Sequence, residues 1–134
     1  MSDAPESPIA ALYAAAEAVR QQLQLATYDE AAVQRLAGFI EEQRPLLKPD
    51  NHESVATALG CFLGQCMVQV FGGEWAAGPD GSTGVGIQGK HFFNPFYRVA
   101  EQLARGEKES VAMFFAGIPA RLAAPQGRKG WIPG

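Results

Sequence analysis

What this chain lacks narrows its chemistry first. It holds two histidines and two cysteines in 134 residues, and no CxxC, HxxxH or HExxH spacing. A metal centre needs several converging ligands, so no metal and no other cofactor is expected. There is no GxSxG elbow. The glycine-rich phrase GPDGSTG lacks the GxxxxGK[ST] spacing of a phosphate loop, and GVGIQG opens no helix. Basic residues are scarce too: 8 Lys and Arg face 14 Asp and Glu up to residue 110, and only Arg121, Arg128 and Lys129, with no acid, follow. An acidic body disfavours contact with a phosphate backbone, so no nucleic-acid partner is expected. The chain opens on the polar, acidic MSDAPESP, not on a basic segment running into an apolar one, and a cytoplasmic location is expected from that.

Charge is missing altogether from one stretch, Ser54 to Gly73, which lies between Glu53 and Glu74. Pro45 and Pro49 break what precedes it, Asp50 or Asn51 offers an N-cap, and Glu53 falls at N3 if Asp50 is the cap. Helical spacing puts Val55, Leu59, Phe62, Cys66 and Val70 on one side and Ala56, Leu63, Met67 and Phe71 beside them. That apolar arc is too wide for a surface helix. A helix of this length spans roughly 30 Å, which also meets the length of a membrane span. Against spanning, Ser54, Thr57, Gln65 and Gln69 dilute the run, and neither a basic flank nor a pair of aromatic belts brackets it. An interior rod in a water-soluble domain is expected, with no membrane association. Gly60 and Gly64 form a small-xxx-small pair, which suits either helix pairing in a membrane or close approach of a neighbour in a soluble core. The cost is about 1 kcal/mol of helix propensity per glycine. Gly72 and Gly73 supply a left-handed C-cap. Cys61 and Cys66 lie about 140° apart around such a helix and cannot bridge while it is intact. They read as small buried apolar residues in a reducing compartment.

At 47% apolar and 19% charged, the composition is that of a globular chain, and its length fits one domain. Ile9, Leu12, Tyr13, Ala16, Val19 and Leu23 recur at helical spacing behind a Ser7–Pro8 start, with Glu17, Arg20 and Gln21 outward. A second helix, capped by Thr27 or Asp29, buries Val33, Leu36, Phe39 and Ile40 and wets Arg35, Glu41, Glu42 and Arg44. The two form an αα-hairpin against the central helix. Residues 72–89 hold seven glycines. Around the turn Pro79-Asp80-Gly81, Glu74 to Ala77 and Val85 to Gln88 make a hairpin, with His91 to Phe93 as a third strand. Phe92 and Phe93 face opposite sides if extended, so one of them is a candidate for exposure. Asn94-Pro95 opens a helix that Gly106 ends, and a last helix starts near Glu107 or Lys108 and stops at Gly117 and Pro119. The predicted fold is α+β: an N-terminal αα-hairpin, a long buried central helix, a small antiparallel hairpin or three-stranded meander, and two C-terminal helices. Residues 1–118 form the domain, and residues 119–134 a basic Pro/Gly-rich tail, extended unless Trp131 docks.

LGxxxG (Leu59 to Gly64), GGEW (Gly72 to Trp75), NPF (Asn94 to Phe96), a helix ending LARGE, and a Ser110-containing last helix together resemble a group of small bacterial proteins classed as a domain of unknown function. The resemblance covers Leu59 to Phe115. It implies bacterial origin and an accessory role such as an immunity or adaptor protein, and it carries over no catalytic residues. With no nucleophile-and-base arrangement legible, the expected function is a non-enzymatic protein-interaction module that binds another protein, or a second copy of itself. The candidate binding residues are Trp75, Asp80, Lys90, His91 and Tyr97, with Trp75, Lys90 and His91 on the exposed side of the hairpin. The alternative is a small-molecule-binding protein or hydrolase with a pocket between the hairpin and the last two helices.

Overall fold

Proline and glycine set where the backbone changes course. In a computed structural model that describes residues 8–124, the order is α1 (Pro8–Gln22), α2 (Glu30–Gln43), α3 (His52–Phe71), β1 (Glu74–Ala77), β2 (Thr83–Ile87), β3 (His91–Phe93), α4 (Pro95–Arg105) and α5 (Val111–Ala123). The fold is α+β, with α3 as its centre. Leu59 through Met67 are buried without a break, wrapped chiefly by α4 and α1 and then by α2 and the sheet. α3 is long and apolar enough to cross a membrane by length and composition, yet 56% of its most apolar window is buried. Its surroundings are those of a soluble domain's core helix.

The two glycines of α3 are where its neighbours come closest. A Cβ at Gly60 would stand 2.9 Å from the backbone Cα of Phe96, and one at Gly64 only 2.2 Å from Cη2 of Trp75. The Trp75 and Phe96 rings lie side by side, 5.9 Å between centroids. Close approach in a soluble core is therefore the use this small-xxx-small pair serves. Gly72, at φ 70°, ends the helix in the left-handed conformation that costs glycine least. The start differs from expectation. Pro49–Asn51 form a short 3-10 turn, and Asn51 takes the N-cap position without a side-chain hydrogen bond. The Asp50–Glu53 capping pair is thus not formed.

The three strands make an antiparallel meander in the order β1-β2-β3, with Trp75 opposite Val85 and Val85 opposite Phe93. Because side chains alternate, Trp75, Val85, Ile87, His91 and Phe93 share the face that packs on the helices. β2 begins two residues earlier than expected and ends at Ile87, because Gln88 (φ 61°) and Gly89 (φ 67°) both take positive φ. That pair is the signature of a type I′ hairpin turn, closed by the Lys90 amide donating to the Ile87 carbonyl at 3.2 Å. On the other face Phe92 lies over Gly78 and Gly84, whose Cβ atoms would fall 2.4 and 2.5 Å from its ring. Neither Phe92 nor Phe93 is exposed, contrary to expectation, because bare glycine backbone receives the outward ring.

Two further differences lie in the C-terminal half. Residues 107–109 form a separate 3-10 turn, and α5 starts at Val111 with Ser110 as N-cap, its hydroxyl accepting from the Ala112 amide. α5 then runs through Gly117 and Pro119 to Ala123. Proline forfeits one ladder bond inside a helix, but the buried Phe114, Phe115 and Ile118 hold this one against the core. The boundary drawn at 118/119 therefore falls inside a helix. Residues 125–134, Trp131 among them, lie outside the described residues.

Glu41 and Arg44, expected on a wet face, turn inward instead. The buried Gln102 amide donates to the Ala37 carbonyl (3.1 Å) and to Glu41 Oε2 (2.8 Å), and accepts from the Val111 amide (2.9 Å). Arg44 donates to Glu41 and to the Leu103 carbonyl, both at 3.2 Å. One polar cluster thus ties α2, the end of α4 and the first turn of α5, satisfying helix-end groups that would otherwise be orphaned.

Candidate functional site

Of the five residues singled out in sequence, two are withdrawn from the surface. Trp75 is 8% and His91 1% exposed, so the hairpin face expected to present them is the face packed inward. His91 stacks on Phe93, with ring planes 12° apart. Asp80 and Lys90 are exposed at opposite turns. Asp80 is occupied locally, accepting from the amide and the hydroxyl of Ser82 at 3.0 and 2.6 Å, which holds its carboxyl below the usual range. Tyr97 is exposed and lines a groove of about 470 Å³ between α3 and α4, together with His52, Asn94 and Phe96. The structure does not bring the five together.

Trp75 leads to a different place. Its indole N–H donates to Oε1 of Gln65 at 3.3 Å. An indole nitrogen is a donor only, so this contact fixes which way the amide faces: oxygen to Trp75, NH2 away. Gln65 is 8% exposed, and it lines a groove of about 450 Å³ between α1 and α3 with Tyr13, Glu17, Tyr28, Val68 and Gln69. Among the described residues its NH2 has no hydrogen-bond partner. The floor of the groove therefore includes an amide whose oxygen is already engaged by Trp75.

The opposite wall is built from the end of α1. That helix closes in a Schellman motif with Gln24 at φ 57°, the Leu25 amide reaching the Arg20 carbonyl at 3.0 Å and the Gln24 amide reaching Gln21 at 3.1 Å. The reversal brings Tyr28 back over α1, where its hydroxyl donates to Glu17 at 2.8 Å and its ring rests on Phe62 of α3, 5.3 Å between centroids. Arg20 grips both oxygens of the same carboxylate and also donates to the Leu25 carbonyl at 2.6 Å. Arg20 first, then Tyr28, pull the Glu17 carboxyl down to about 2. Burial, with Glu17 adding to it, pushes the Tyr28 phenol up to about 12. Glu17 is thus an anion whose charge is already matched. Tyr13, one turn before Glu17, leaves 47% of itself in solvent.

Sequence reasoning placed Tyr13 in the core, treated Gln65 and Gln69 as diluting an apolar run, and passed over Tyr28. One signal was present: Gln65 and Gln69, like Tyr13 and Glu17, stand four apart and so share a helix face. The thiols offer no chemistry here. Cys61 and Cys66 are free and buried, and burial raises both, Cys66 strongly, which keeps them protonated.

No protein-family model, characterised protein or solved structure matches this chain.

Proposed function

We propose that the domain is a non-enzymatic protein-interaction module of the bacterial cytoplasm, adaptor- or immunity-like, whose partner is another protein. One observation carries the reading: His91 and both cysteines are withdrawn while large apolar side chains stay outside. His91, Cys61 and Cys66 are buried, and Asp80 is occupied by Ser82. Ile9, Tyr13 and Val70 are each more than two-fifths exposed. Ile9 and Tyr13 stand one turn apart and share a face of α1. Exposed tyrosine beside aliphatic side chains is the composition of a recognition surface. Protonated, unpaired cysteines support a reducing compartment, and the formal charge of −3 supports a partner that is not nucleic acid.

The test is affinity capture with the intact chain, followed by native mass measurement of what is retained. A stoichiometric complex is expected. A chain that stays monomeric and retains no protein contradicts the proposal. A second reading, small-molecule binding, rests on the α3–α4 groove, where His52, Asn94 and Tyr97 offer polar groups over Phe96. Thermal-shift screening separates the two, since a ligand at about 100 times its dissociation constant adds roughly 2.7 kcal/mol.

A further inference from the structure

The sheet has two faces, and the described helices that pack most on it, α3 and α4, do so on the side of Trp75, whose ring meets Gly64 and Phe96. Directly paired residues share a face, so the other side carries Glu74, Ala76, Gly84, Gly86 and Phe92. That side is not bare: Gly84 and Gly86 are buried and Phe92 is 4% exposed. We propose that this outer face is a docking site for the chain's own C-terminal segment, residues 125–134, with Trp131 lying on Gly86 beside Phe92. The inference stands apart from the identity of any partner.

The surface, the reach of the chain and its composition together name the occupant. Phe92 turns its ring over Gly78 and Gly84, toward the turn that joins β1 and β2 and away from Gly86, which stands directly opposite Phe92 in the register. Gly86 is buried all the same, and a glycine inside a strand marks a place where another group comes close to the backbone. Nor do the glycines account for Phe92 alone. A ring lying on bare backbone is covered on one side only, so its near-complete burial requires cover on the other.

The end of α5 delivers the chain to this place. Phe114 of α5 meets Phe93 of β3 at 5.8 Å between centroids, and Arg121, in the last turn of α5, lies 5.6 Å from the same Phe114 ring. The chain thus leaves α5 near β3, the strand that carries Phe92. The ten residues 125–134 extend to at most about 36 Å, against roughly 10 Å across three strands. Their sequence, PQGRKGWIPG, holds Trp131 and Ile132 to cover an apolar strip, and Arg128 and Lys129 with no acid. Glu74 is exposed on the same face and attracts such a segment. MSDAPES, the stretch before α1, has no aromatic and carries Asp3 and Glu6, which Glu74 repels.

The experiment is acrylamide quenching of the intact Trp75→Phe protein, in which Trp131 is the one tryptophan left, together with nuclear Overhauser contacts of the Trp131 ring in the wild type. The expected result is quenching several-fold weaker than in the same chain unfolded in urea, with contacts from the indole to the Gly86 Hα protons and the Phe92 ring. Gly86→Ala puts a methyl group under the indole and raises quenching toward the unfolded value. Quenching equal to that of the unfolded chain overturns the proposal, as does a wild-type Trp131 ring that contacts residues away from the outer face or none. Protection that disappears on dilution, with a dimer in native mass measurement, overturns it by assigning the face to the segment of a second copy. The wild-type contacts need no variant, so they decide should Trp75→Phe or Gly86→Ala compromise folding.

Discussion

Replacing Gly64 by alanine separates close packing from helix propensity with opposite signs. In an exposed helix interior the change stabilises by about 1 kcal/mol. At Gly64 the new Cβ would lie 2.2, 2.6 and 3.0 Å from Cη2, Cζ2 and Cζ3 of Trp75, where carbon atoms settle at about 3.5–4.0 Å. The indole has to retreat by more than about 1 Å. It is packed against Phe96, and its bond to Gln65, at 3.3 Å, does not stretch further and survive. Overpacking costs roughly 1–3 kcal/mol and the lost hydrogen bond about 1 kcal/mol. Set against the propensity gain, the net is a loss of roughly 1–3 kcal/mol, or about 4–11 °C in Tm for a domain of this size. Gly38 is the control: it lies inside α2 with nothing within 4 Å of its ideal Cβ, and alanine there raises stability by up to about 1 kcal/mol. Since all three clashing atoms belong to the benzo half of the indole, Trp75→Phe relieves the clash, and the cost of Gly64→Ala shrinks in that background. Urea unfolding of the four variants measures all of this. Equal stabilisation by Gly38→Ala and Gly64→Ala refutes the reasoning.

Other outcomes follow from the polar clusters and the thiols. Gln102→Leu orphans the buried Val111 amide and removes the donor to Glu41 Oε2, and lowers stability by about 1–3 kcal/mol, read as a fall in the urea midpoint. Glu17 has its carboxyl lowered from 4.5 to about 2. A folded-state value below the unfolded one contributes stability that is complete above about pH 4.5 and is lost as pH falls toward 2. Midpoints measured across that window therefore fall less steeply with acid in Glu17→Gln than in wild type, and an unchanged slope contradicts the Arg20–Tyr28 grip. Cys61 and Cys66 react with a thiol reagent only at the rate of unfolding, so fast modification of the native protein contradicts their burial.

How much of this was legible in sequence depends on the range of the interaction. Local chemistry was readable: Asp29 and Asn94 cap their helices through the Ala32 and Tyr97 amides, Gly72 ends α3, and the uncharged run does form the core rod. The third strand fell where His91 to Phe93 predicted it. Turns made by unusual residues were not readable, since Gln24 and Gln88 take positive φ where glycine or asparagine is the usual signal. Pro119 misled because tertiary burial of Phe115 and Ile118 outweighs one missing ladder bond. The groove was least legible. Its floor depends on a contact between Trp75 and Gln65, ten residues apart and on different elements, and its wall on Tyr28 folding back eleven residues to Glu17. Helical periodicity places each side chain on a face, but it cannot say which faces meet.

The most direct measurement is the native mass of the intact protein together with what it retains on affinity capture. The account predicts a stoichiometric complex with a protein. A chain that stays monomeric and retains nothing would contradict it.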